Sequence, residues 1–66
     1  MTPSDLRAAR AASGLTQSEW GQLLGIGRQH VSSMERGVDP PSPTLAILIQ
    51  IIIAIGIERA QEIRGL

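Results

Sequence analysis

The sequence predicts an all-α fold of four to five short helices, and three observations predict it. Apolar residues recur at helical spacing, as in Trp20, Leu23 and Leu24. Residues that cap helices stand ahead of such stretches: Thr2, Thr16 and Ser42, with proline at the first helical position after Thr2 and Ser42. Glycines close the stretches at Gly14, Gly25 and Gly37. At 66 residues the chain makes one domain, residues 1–66. A chain this short buries only about 60% of its unfolded surface, so a second contribution such as dimerisation is expected.

The first helix runs from about Pro3 to Ser13, with Leu6 and alanines inward and Asp5 complementing the positive end of the dipole. The second runs from about Gln17 to Leu24. Thr16 and Glu19 have the spacing of a capping box, in which each satisfies the other's backbone N–H. Trp20 is the only aromatic residue, and its place in the apolar stripe assigns it to packing rather than to stacking on a ligand. Gly25 supplies a positive φ, and a third helix spans roughly Arg28 to Arg36 with Val31 and Met34 inward. Arg28, Gln29, Ser32, Ser33 and Arg36 fall on its opposite face, which carries no acid and many hydrogen-bonding groups.

Three prolines hold the loop from Val38 to Pro43 extended and prevent the third helix from continuing. The fourth helix, from about Pro43 to Ile55, is apolar on almost every side and must be covered on every side. The rest of the chain can cover only one. The 13-residue run from Leu45 to Ile57 contains Gln50, and a membrane span needs about 20 apolar residues. No membrane is therefore expected, although the isoleucines also favour β structure locally. Self-association is expected instead, with Ile49, Ile52, Ile53 and Ile57 in a dimer interface over about residues 43–64. A fifth helix from Ile57 to Arg64 turns inward either Ile57, Ala60 and Ile63 or Ile57 and Gln61.

Six arginines balance six acids, and there is no lysine. This neutrality argues mildly against a nucleic-acid binder, whose usual sign is a basic footprint. Distribution softens the objection: residues 1–38 carry a net +1, residues 39–66 a net −1, and Arg28 and Arg36 share one face without an acid. The chain has no cysteine, so neither a disulfide nor a thiolate metal site is expected, and it suits a reducing cytoplasm. One histidine and no clustered carboxylates leave no nucleophile–base pair or metal set, so neither an enzyme nor a cofactor is expected. No secretory signal is visible.

The segment Gly14-Leu15-Thr16-Gln17, Gly21, Leu24-Gly25, Val31-Ser32 and Glu35-Arg36-Gly37 resembles the helix-turn-helix of the phage repressor and Cro-like (XRE-type) family at many fixed offsets. The likeness extends from Arg10 to the prolines at Pro40 to Pro43. It implies a lambda-repressor-like DNA-binding domain, with the helix-turn-helix at about 16–37. It also implies an ion pair between Arg10 and Glu35, the alternative for Arg10 being a phosphate contact. The family usually has alanine where this chain has Gly21, a departure that costs about 1 kcal/mol of helix propensity. Val38 stands where a basic residue is common, which removes one expected phosphate contact.

In such a motif the start of the second helix reads base edges in the major groove. Here that assigns base reading to Arg28, Gln29 and Ser33. Thr16, Gln17, Ser32 and Arg36 are assigned to phosphates or the groove edge. The expected function is sequence-specific binding of double-stranded DNA by a homodimeric regulator with a near-palindromic operator. The simplest form is a repressor of a phage, toxin–antitoxin or anti-CRISPR operon, with no space for a ligand-sensing domain. The alternative is a protein-interaction module that binds a partner such as a toxin through the apolar fourth helix.

Overall fold

Local chemistry sets the helix boundaries. In the computed structural model, which describes all 66 residues, five helices follow one another: α1 (Pro3–Ser13), α2 (Gln17–Leu24), α3 (Arg28–Glu35), α4 (Pro43–Ile55) and α5 (Ile57–Arg64). Thr16 Oγ1 accepts the Glu19 N–H at 3.1 Å while the Glu19 carboxylate accepts the Thr16 N–H at 3.0 Å. Thr2 and Asp5 form a second reciprocal box at 3.1 and 3.0 Å, which gives Asp5 a role beyond the dipole. The bond from the Thr2 backbone N–H holds the Asp5 carboxyl below its usual range. Ser42 Oγ accepts the Leu45 N–H at 3.2 Å and starts α4.

One core draws on all five helices. Leu6 enters from α1, Trp20, Leu23 and Leu24 from α2, Val31 and Met34 from α3, Ile49 and Ile52 from α4, and Ala60 from α5. Between α4 and α5 the chain turns through 118° at Gly56, where φ is 93°. Only glycine adopts that backbone without strain. No single helix is long and apolar enough to cross a membrane.

The burial of α4 corrects the expected dimer surface. Ile49 is 0% and Ile52 3% exposed, so both belong to the protomer's own core. Ile57 is half-buried against the same core. Of the four residues named for that surface, only Ile53 stands well out, at 50%. The helix is apolar all round, so its sequence carries no phase to say which stripe turns inward. The exposed members are instead Ile47, Leu48, Ile51, Ile53 and Ile55. On α5, Ala60 faces in and Ile63 faces out at 71% exposure, with Gln61 half-buried beside the core.

Candidate nucleic-acid interface

The turn between α2 and α3 determines where the polar face points. Gly25 ends α2 at φ 75°, and the Ile26 N–H returns to the Gly21 carbonyl at 2.9 Å. Gly21 lets the turn close this tightly: a Cβ there would lie 2.7 Å from the Ile26 carbonyl oxygen. Even alanine, the residue usual in the family at this place, would force the backbone to move. Gly27 then starts α3, and its carbonyl accepts the N–H groups of His30 and Val31 at 3.1 and 3.2 Å.

Val31 and Met34 are buried and fix the rotation of α3 about its axis. Its other side presents Arg28, Gln29, Ser32, Ser33 and Arg36 around one shallow hollow of about 260 Å³ with no apolar lining residue. Arg28, Gln29 and Arg36 are exposed, and the two serines are half-buried. Arg36 Nη2 donates to Ser33 Oγ at 3.5 Å, which leaves most of its guanidinium free. Both ion pairs of the molecule lie elsewhere, at Arg10–Glu35 and at His30–Asp39. The positive charge of Arg28 and Arg36 is therefore uncompensated by any acid in contact. His30 Nε2 lies 3.8 Å from the Asp39 carboxylate, a charged pair only when the imidazole is protonated.

Behind α3, Glu35 is 5% exposed and collects three donors. Arg10 Nε donates to Oε2 at 2.7 Å and Arg10 Nη2 to Oε1 at 3.0 Å, while Gln17 Nε2 donates to Oε1 at 3.2 Å. Arg10 Nη1 also donates to the Leu15 carbonyl at 3.2 Å. Burial alone would push the Glu35 carboxyl up. The bonds from Arg10 and Gln17, with the charges of Arg10 and Arg7, outweigh it and hold the group below its ordinary range. The bond to Glu35 likewise raises Arg10 above its usual value. Arg10 is thus the structural partner of Glu35, with three of its five N–H donors spent on Glu35 and Leu15.

This network changes what Gln17 can do. Its side chain is half-buried and turned onto Glu35 rather than free. An amide carries two N–H bonds, so one remains for an outside acceptor. The backbone N–H groups of Gln17 and Ser18, in the first turn of α2, have no helical partner. Thr16 uses its hydroxyl oxygen as the helix cap and retains only its hydroxyl hydrogen.

Arg64 has a part in this architecture that the sequence did not announce. Its guanidinium caps the C-terminal end of α2, next to the turn, through the carbonyls of Gln22 and Leu23. The one clue was that the last turn of α2 holds no basic residue. That clue does not say which of the six arginines makes up for it.

A short helix carried on a tight glycine turn, apolar inward and polar outward, is the arrangement of a helix-turn-helix. The chain belongs to the Cro/C1-type (XRE) helix-turn-helix family, whose model matches residues 6–61. That span holds α2, α3 and α4 entire, with most of α1 and α5. No curated protein and no solved structure matches the chain. Membership makes it a DNA-binding transcription regulator of that type.

Proposed function

We propose that the protein is a homodimeric repressor that recognises a near-palindromic operator in double-stranded DNA. The observation that carries this reading is the single acid-free polar face formed by Arg28, Gln29, Ser32, Ser33 and Arg36 on the outside of α3. Arginine can fork onto guanine O6 and N7, and glutamine onto adenine N6 and N7, each giving about 1–3 kcal/mol of discrimination. Arg28 and Gln29, at the start of α3, are the base readers, with Ser33 one turn on. Ser32, Arg36, the remaining Gln17 amide hydrogen, the Thr16 hydroxyl and the free amides of α2 hold phosphates and the groove edge.

Dimerisation uses the exposed apolar side of α4 and α5. Leu48, Ile51, Ile55 and Ile63 surround a hollow of about 120 Å³ floored by Leu23, Ile52 and Ala60. Leaving these side chains in water forfeits roughly 25 cal/mol per Å² that a second copy recovers. Two-fold pairing aims two copies of α3 at successive major grooves about 34 Å apart. A dimer seated on a promoter represses by occlusion.

The experiment is enrichment of duplexes from a randomised pool by the purified protein, followed by titration of the enriched duplex and a scrambled one. A sequence-specific reader prefers the enriched duplex by about a thousandfold or more at physiological salt. Equal affinities would overturn the reading. The same exposed isoleucines favour a second reading, a docking face for another protein. A protein that stays monomeric at high concentration and on DNA would favour that second reading.

A further inference from the structure

The last residue of α5 serves another helix. Arg64 reaches across to the end of α2, where Nε donates to the Leu23 carbonyl at 3.1 Å and Nη2 to the Gln22 carbonyl at 3.3 Å. Helix ends leave their last carbonyls without partners and carry a partial negative charge. Here the last turn of α2 has no cation of its own, and the Leu23 carbonyl has no other donor. The Gln22 carbonyl otherwise receives only the Gly25 N–H, at 3.3 Å. A guanidinium suits this place because its planar fork offers two donors in a fixed relation, which an ammonium does not. The same side chain lines the apolar hollow between α4 and α5.

We infer that Arg64 is a positioning residue for DNA reading. It fixes the direction in which α2 delivers the chain to α3, and it ties that direction to the α4–α5 face. The inference rests on the DNA-reading function proposed above. Arg64 is absent from the polar face of α3, so it acts through Gln22, Leu23 and the turn at Gly25 and Ile26. Base recognition needs α3 at one angle in the groove, whereas attraction to phosphates tolerates several. Removing the fork therefore harms specific binding and spares nonspecific binding.

The test uses the full chain with Arg64→Met, which keeps much of the apolar stem, and Arg64→Lys, which keeps the charge without the fork. Two readouts are taken: amide hydrogen exchange, and affinity for the enriched and scrambled duplexes. Arg64→Met is expected to speed exchange at the Gly25 and Ile26 amides. It is also expected to lower affinity for the enriched duplex about tenfold, the worth of one reading contact. Affinity for the scrambled duplex and the far-ultraviolet helical signal stay unchanged, and Arg64→Lys recovers only part of the loss. Unchanged exchange, or equal loss on both duplexes, overturns the inference; if Arg64→Met does not fold, Arg64→Lys decides by the same two comparisons. Wild-type protein that does not distinguish the duplexes would sink the proposed function instead, and hydrogen exchange would still decide whether Arg64 holds the turn.

Discussion

Arg10 and Glu35 meet across 25 residues of chain, with Nε of the arginine donating to Oε2 of the glutamate at 2.7 Å. The pair fastens α1 to the end of α3, so the helix that carries the polar face is braced from behind. Glu35 is the buried partner, its side chain 4% exposed against 21% for Arg10. The two ends of the pair therefore do not cost the same to remove.

Arg10→Met leaves a buried carboxylate with only Gln17 to serve it. The expected loss is about 3 kcal/mol. A chain of this length has roughly 3–10 kcal/mol in total. Urea denaturation followed by Trp20 fluorescence measures it. A variant as stable as the wild type would show that the pair contributes nothing net.

Acid should weaken the fold through the same carboxylate. The Glu35 pKa lies below its ordinary value of about 4.5 in the folded protein, so the unfolded chain takes up the proton first as pH falls. The stabilisation is complete above pH 4.5 and is lost progressively as pH drops through the folded value. Glu35→Gln removes this titration, so its stability curve between pH 3 and 6, followed by urea denaturation, should be flatter than that of the wild type, with the slope due to Asp5 remaining.

Gly21→Ala opposes two effects of known size. Alanine gains about 1 kcal/mol of helix propensity. Its methyl would meet the Ile26 carbonyl oxygen at 2.7 Å, and the obstacle is backbone. Overpacking of that kind costs about 1–3 kcal/mol, so a net destabilisation of about 1 kcal/mol is expected, with a looser turn and poorer operator discrimination. Thermal melting and duplex titration check both; a more stable variant would show that the turn gives way easily.

On α4, neighbouring isoleucines should behave oppositely. Ile49→Ala empties a fully buried site and is expected to cost about 2–5 kcal/mol of protomer stability. Ile51→Glu, at a half-exposed position, should leave the protomer folded and abolish the dimer in sedimentation. A dimer that survives Ile51→Glu would move the interface to the α1 side of α4, near Ile53.

Binding should depend on salt. Arg28 and Arg36 are the cations each subunit brings to the duplex; with Arg36 alone or both neutralising phosphates, two to four per dimer, the slope of log K against log salt is roughly −2 to −4. Gln17→Ala lowers affinity for every sequence alike, while Arg28→Ala and Gln29→Ala erase preference at one or two base pairs in each half-site. A slope near zero would contradict this contact set.

Amino-acid order alone determined the first four helices and their ends to within a residue, and left the fifth open, because caps, prolines and glycines act on the backbone within three or four residues and α5 has no side-chain cap. It also determined which side of α3 is polar, since Val31 and Met34 give that helix a clear phase. Only the tertiary structure decided which isoleucines of α4 lie inside, because a helix apolar all round has no phase until neighbours choose one. It likewise decided that Gln17 turns onto Glu35 and that Arg64 caps α2, two contacts spanning 18 and more than 40 residues. A hydrogen bond at that separation depends on where whole helices come to rest, and no local pattern records it.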